Sequence, residues 1–259
     1  MKFSIPEYVQ TVLDRFHNEG YEASIVGGCV RDFLMGKEPH DYDVCTSASP
    51  EEIQKCFRDF TTIDTGIRFG TVIILSSGRP VEATTYRKDG EYRDSRHPES
   101  VDFTPELRED LARRDFTMNA IAYSDETGFV DFFHGREAIE NRKIIAVGDP
   151  GKRFKEDALR MMRALRFASV LDFEIEDETD RAARLQINDV KEISKERIQS
   201  ELSRLLKGRN CDKVISSYGK ELSSVIEGFC PKKINHLPED LGVRLSEVFP
   251  DNTAEYLKK

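Results

Sequence analysis

Two adjacent glycines, Gly27 and Gly28, cut off a short apolar run, Ala23 to Val26, that reads as a strand. A strand ended this way must turn tightly, because glycine alone enters left-handed backbone without penalty, and the turn lets backbone N–H groups approach an anion. Arg31 follows one helical turn later and offers a planar fork suited to phosphate. Asp41-Tyr42-Asp43 then leads into a second β-type run. Residues i and i+2 of a strand point to the same side, so the two carboxylates form a hard-oxygen site for Mg²⁺. A phosphate cradle beside a divalent-metal site is the minimum equipment for nucleotidyl transfer. Each part alone has an ordinary reading: a turn, a solvated strand edge, a surface charge. Their order and spacing carry the inference.

The surrounding chain reads as α/β. Residues 6–19 form an amphipathic helix with Val9, Val12, Leu13 and Phe16 on one stripe, Pro6 near its start and Gly20 at its stop. A short helix runs through Leu34, and Ser49-Pro50-Glu51-Glu52 opens another with a capping-box pattern. Residues 70–75 and 80–85 are β-rich and joined by Ser76-Ser77-Gly78-Arg79, the signature of a hairpin. Glu82 interrupts the second strand, either as an outward-facing residue or as a third carboxylate near Asp41 and Asp43. Residues 86–100 are polar, mixed in charge and without period, as expected of a mobile loop. In Arg113-Arg114-Asp115, flanked by apolar residues, the charges read either as a surface turn or as converging on a common partner.

Helical periods dominate from about residue 140. The sharpest covers 154–170, with Ala158, Met161, Met162, Leu165 and Ala168 as its core stripe and Glu156, Arg160 and Arg163 pointing away. Asp157 precedes Arg160 by one turn, which makes them neighbours on the helix surface, and Arg166 flanks the stripe. Helices near 177–190 and 195–207 and a weaker helical tail follow. The expected organisation is a head at 1–140, a helical neck at 141–209 and a partial helical body at 210–259.

The net charge of −9 alone argues against a nucleic-acid partner. The acidity is concentrated before residue 150, however, and the 151–209 stretch is the least acidic, so phosphate contacts are expected there. The five cysteines (29, 45, 56, 211, 230) are odd in number and include no C-x-x-C. Buried thiols in a reducing cytosol are expected, with Cys29 a packing residue. Neither a basic-then-apolar leader nor an apolar run near twenty residues occurs, so no export or membrane span is expected.

Between residues 20 and 207, GG-x-VRD with D-x-D, the Glu82 strand, the 86–100 loop, RRDFT-x-NA at 113–120 and ED-x-x-R-x-x-R-x-x-R at 156–166 occur in order. In this series the chain resembles the class II tRNA nucleotidyltransferase / poly(A) polymerase family, which includes the bacterial CCA-adding enzymes. The resemblance implies an α/β nucleotidyltransferase palm with a small antiparallel or mixed sheet, followed by an all-helical C-terminal region. It implies that Asp41 and Asp43 hold Mg²⁺ in a two-metal mechanism, with Glu82 as third carboxylate. Gly28, Arg31 and Arg114 would bind the nucleotide, with Asp115 and Asn119 in the same motif. Asp157 and Arg160 would read the incoming base, and Arg163 and Arg166 would line its pocket.

The base-reading role has a chemical rationale. Cytosine and adenine both present an amino donor beside a bare ring nitrogen, matched by a carboxylate and a guanidinium. Uracil and guanine present the reverse and leave two groups unsatisfied at roughly 1–3 kcal/mol each. The implied reaction is attack of a tRNA 3′-hydroxyl on the α-phosphorus of CTP or ATP, with pyrophosphate leaving. The retained 86–100 loop favours addition of A, as full CCA or as A alone. Family members run longer than this chain, so weaker tRNA binding is expected of it. Three rivals remain: a poly(A) polymerase of the same family, an HD-type metal phosphohydrolase suggested by His40-Asp41, and a non-enzymatic RNA-binding module. The oligomeric state is left open.

Overall fold

The computed structural model describes residues 3–90, 101–238 and 240–251. The described residues form two compact units, the first ending at Asn141 and the second starting at Arg142.

In the first unit the order is α1 (Glu7–Asn18), β1 (Ala23–Val26), α2 (Gly28–Leu34), β2 (Asp43–Thr46), α3 (Pro50–Cys56), β3 (Thr61–Gly66), β4 (Thr71–Ser76), β5 (Arg79–Thr85), β6 (Arg87–Asp89), β7 (Val101–Phe103), α4 (Leu107–Ala112), a 3-10 turn at Thr117–Asn119, β8 (Ala122–Ser124), β9 (Gly128–Val130) and α5 (Gly135–Glu140). Seven strands form one sheet in the order β3-β4-β5-β2-β1-β8-β9. Only β2 and β5 pair in parallel; the other neighbours are antiparallel, so the sheet is mixed.

The predicted local signals appear in place. Val9, Val12, Leu13 and Phe16 of α1 are fully buried, and the helix packs with α3 against β4 and β5. Ser49 caps α3: its hydroxyl accepts from Glu52 N at 3.3 Å, while its own N–H donates to Glu52 Oε2 at 2.8 Å. Ser77 and Gly78 both have positive φ, 50° and 73°, and close the β4–β5 hairpin with Ser76 opposite Arg79. Two left-handed residues in a two-residue loop match the twist of the flanking strands.

Two features differ from the sequence expectation. Residues 61–66, polar and without clear alternation, become edge strand β3 through pairing with β4. The stretch expected as a loop from residue 86 begins with a fully buried Tyr86 and then strand β6, paired antiparallel with β7. The rest of that stretch, 91–100, lies outside the described residues.

The second unit contains β10 (Lys143–Ile144), α6 (Pro150–Glu156), α7 (Leu159–Leu171), β11 (Glu174–Ile175), α8 (Asp177–Gln186) with a 3-10 continuation to Glu192, α9 (Lys195–Leu206), α10 (Cys211–Val225) and α11 (Leu241–Val248). Among the described residues it is helical apart from the two-residue parallel pair β10–β11. Within it α7 packs against α9, and α6 against α8. The helix expected over 154–170 is two helices. Asp157 takes an extended conformation (φ −144°, ψ 104°) between α6 and α7. Its Oδ1 accepts from Leu159 N at 3.0 Å, which satisfies an orphan donor in the first turn of α7 and competes with continuous helix. The stripe itself holds for Ala158, Met161, Met162 and Leu165, all buried, while Ala168 is half-buried. Among the described residues no helix is long and apolar enough to cross a membrane.

Candidate functional site

The parallel register of β2 and β5 sets Asp43 directly beside Glu82, and Glu82 faces Ile73 on β4. Cross-strand partners point to one face of a sheet. Their alternates Val44, Ala83 and Val72 are buried on the opposite face. The arrangement therefore follows from period-2 alternation: apolar residues go down, and the two carboxylates stand on the open side. Asp41 lies just before β2 rather than in it, but it keeps the alternation, exposed like Asp43 with Tyr42 buried between them.

The carboxyl of Asp43 has a raised pKa although it reaches solvent. The first cause is desolvation by the protein packed around it and the second is the Glu82 carboxylate; Arg114 opposes them and Asp41 adds to them. Among the described residues no group of three His, Cys, Asp or Glu side chains is already gathered into ion-holding geometry. The donor set nevertheless suits a hard divalent cation: the oxygens are carboxylate, and like-charge crowding at Asp43 is what a cation would relieve.

On the other flank, Gly27 has φ +83°, and a Cβ there would lie 3.2 Å from Arg114 Nη1 and 4.0 Å from Asp43 Oδ2. A Cβ at Gly28 would be in ordinary contact, 3.6 Å from Arg31 Nη2. Of the two glycines, Gly27 carries the conformational demand and Gly28 opens α2. We expect Gly27→Ala to cost about 1–2 kcal/mol from the backbone alone, read by urea denaturation. It should also weaken the nucleotide binding that the family resemblance implies for Arg114, by pushing on that side chain. Unchanged stability and binding would contradict this close approach.

Arg114 is anchored by a residue that sequence reasoning passed over. Asp110 is completely buried. Its Oδ1 lies 2.8 Å from Arg113 Nη2, and its Oδ2 accepts from Arg114 Nη2 at 3.2 Å. Burial alone would raise the Asp110 pKa, but Arg114 and then Arg113 pull it below the usual carboxylate value. The available signal was an acidic residue three and four positions before two arginines, the spacing of one helical turn, here at the end of α4. The charges of 113–115 thus converge inward rather than forming a surface turn.

Arg31 donates from Nε and Nη2 to Asp32 Oδ1, at 2.9 and 2.7 Å, and from Nη1 to Asn119 Oδ1 at 2.8 Å. Asn119 donates in turn to Asp115 Oδ1 at 3.1 Å, and Asp115 also accepts from Phe116 N. Asp115 and Asn119 therefore tie Arg31 to the RRDFT-x-NA segment. Cys29 is buried, with its thiol pushed up to about 12 by burial and then by Asp43, so it acts as a packing residue.

In the second unit the structure corrects the expected neighbours. Asp157 is not on a helix face beside Arg160: its Oδ2 accepts from Arg197 Nη2, on α9, at 3.0 Å. Arg160 is buried rather than pointing away, and its Nη1 donates to Glu156 Oε2 at 2.7 Å and to Arg153 O at 3.2 Å. Arg166 Nε lies 3.0 Å from Glu201 Oε2, with both side chains largely buried. Arg163 and Arg166 stand over the Phe167 ring at 5.6 and 4.1 Å from its centroid. The Glu-Asp doublet thus sends its two carboxylates to different arginines.

Residues 23–145 match the family described as "Poly A polymerase head domain", and residues 172–217 match "Probable RNA and SrmB- binding site of polymerase A". The chain is 45% identical over 230 residues to the CCA-adding enzyme of Levilactobacillus brevis, covering 89% of this chain and 57% of that protein. Its fold is similar to the crystal structure of the Bacillus stearothermophilus CCA-adding enzyme in complex with CTP, with TM-score 0.77 and 38% identity over 86% of this chain and 56% of that one. It is also similar to a tRNA nucleotidyltransferase complexed with a primer tRNA and an incoming ATP analog, with TM-score 0.69 and 30% identity over 85% and 63% of the two chains. With its mixed-sheet head and helical continuation, the chain belongs to the class II tRNA nucleotidyltransferase / poly(A) polymerase family. It spans just over half the length of the curated relative.

Proposed function

We propose that this chain carries the template-independent addition of CCA, or of its terminal A, to tRNA 3′ ends from CTP and ATP. The observation that supports this most is the parallel pairing of Asp43 with Glu82, with Asp41 before the strand and Arg114 beneath the Gly27 turn. Asp41 and Asp43 would hold Mg²⁺, with Glu82 as the third carboxylate. The bound cation would acidify the attacking hydroxyl and offset charge on the triphosphate. Gly28, Arg31 and Arg114 bind the triphosphate, and the Asp110 and Asn119 contacts hold the two arginines in place before substrate arrives. Asp157 accepts the amino hydrogen of cytosine or adenine, and Arg160 donates to the bare ring nitrogen. Arg163 and Arg166 line the nucleotide pocket. The first unit serves as the head, and the second supplies neck and partial body divided near residue 209. The free cysteines, four of them buried, suit a reducing cytosol.

The test is incorporation of each of the four NTPs into tRNAs ending before the two C's, after one and after two, with an unstructured RNA alongside. CTP should enter the first two tRNAs and ATP the third, once each; ATP entry into the third alone marks an A-adding enzyme. A long tail on the unstructured RNA would make the chain a poly(A) polymerase. Asp157→Ala should blur choice between CTP and UTP by about 10-fold or more while incorporation continues. Unaltered selectivity in that variant would remove Asp157 from base reading.

A further inference from the structure

Asp157 has left the helix. The local hold on its carboxylate is the Leu159 N–H, which donates to Oδ1. The other oxygen, Oδ2, is held from forty residues away by Arg197 Nη2, and both side chains are mostly shielded from solvent. Arg197 sits in the first turn of α9, whose apolar face (Ile198, Leu202, Leu205, Leu206) is buried, and α9 packs along α7. One turn on, Glu201 pairs with Arg166 of α7. Two opposite charges at i and i+4 on α9 therefore each grip one member of the 157–166 segment, and this fixes the register in which Arg197 meets Asp157. Arg197 Nη1 is also buried, with no hydrogen-bond partner among the described residues. An arginine present only for packing would not be expected to carry that cost.

We infer that Arg197 is a positioning residue for Asp157: it keeps the carboxylate turned so that one oxygen remains an acceptor for the amino group of cytosine or adenine. A carboxylate has roughly four lone-pair sites, and the two contacts seen leave acceptor capacity for one more donor. Held by a guanidinium, the group cannot swing away from the base, and that change would admit uracil. Lysine would keep the charge but not the planar fork.

This inference rests on the proposed base-reading role of Asp157, and the experiment separates the two. Arg197→Met, Arg197→Lys, Asp157→Ala and the Arg197→Met/Asp157→Ala double variant are compared by calorimetric binding of CTP, ATP and UTP with Mg²⁺ and by incorporation into tRNA. Melting temperatures are recorded in parallel. Arg197→Met should lower the preference for CTP over UTP by about 10-fold, Arg197→Lys should lower it less, and the double variant should be no less selective than Asp157→Ala. A merely structural role would lower the melting temperature and weaken all three nucleotides alike. That result, or full selectivity in Arg197→Met while Asp157→Ala is blurred, overturns the role of Arg197. Full selectivity in Asp157→Ala overturns the base-reading role beneath it. If Arg197→Met fails to fold, Arg197→Lys decides by the same criterion.

Discussion

Asp43→Asn is expected to lower nucleotide incorporation by roughly 10²–10³-fold or more and, without divalent cation at neutral pH, to raise the melting temperature. Both effects come from one cause. The folded protein places Asp43 beside Glu82 and near Asp41, where packing and like charge raise its pKa. A carboxyl whose folded pKa exceeds its unfolded value binds its proton more tightly in the folded state. The destabilisation is therefore complete above the folded pKa. It disappears as pH falls through that raised value to the ordinary carboxylate range. The variant's advantage in metal-free melting should shrink over that window. Mg²⁺ should stabilise the wild type by mass action and shift Asp43→Asn much less. Equal Mg²⁺ shifts in both proteins would show that Asp43 does not hold the cation; undiminished incorporation would remove it from the chemistry.

The second large effect is expected at Asp110. Removing this carboxylate leaves two guanidiniums, each more than four-fifths buried, without their shared partner. Breaking a buried ion pair from one side costs about 3–5 kcal/mol, so Asp110→Ala should lose that much in chemical denaturation. Asp110→Asn, which keeps an acceptor, should lose less. The sign with pH is opposite to that of Asp43. The folded pKa of Asp110 is depressed, so its contribution is present above the unfolded carboxylate value and is lost as pH falls from there toward the folded value. Asp110→Asn should lack that part of the acid slope. Incorporation should fall as well, because Arg114 reaches the Gly27 turn from this anchor. A stable and fully active Asp110→Ala would remove Asp110 as the anchor of Arg114.

The two effects also mark how much of the site could be read before folding. The glycine turn, the alternation of Asp41, Tyr42 and Asp43, the Ser49 cap and the Ser77-Gly78 hairpin were legible because each is a contract among residues a few positions apart. Asp110 was harder: only burial distinguishes it from an ordinary helix-surface acid. β3 was missed because its residues carry no strand pattern of their own, and pairing with β4 makes it one. Glu82 was ambiguous on pattern alone, since an outward-facing strand residue and a member of a carboxylate row look the same until the neighbouring strand is known.

The break at Asp157 shows the limit most directly. The 3.6-residue period of the apolar stripe continues past it, so periodicity reports one helix; the extended Asp157, whose short side chain captures the Leu159 N–H, makes two. The periodic apolar pattern, glycine turns and caps of this polypeptide determined most of its element types and its α/β-then-helical order. Tertiary structure alone decided which distant charges meet: Asp43 with Glu82 across a parallel pair, and Asp157 with Arg197 across forty residues. The reason is that local preference is a sum over near neighbours, whereas an ion pair's partner is whatever chain packing brings within about 4 Å, where the Coulomb energy becomes large enough to choose.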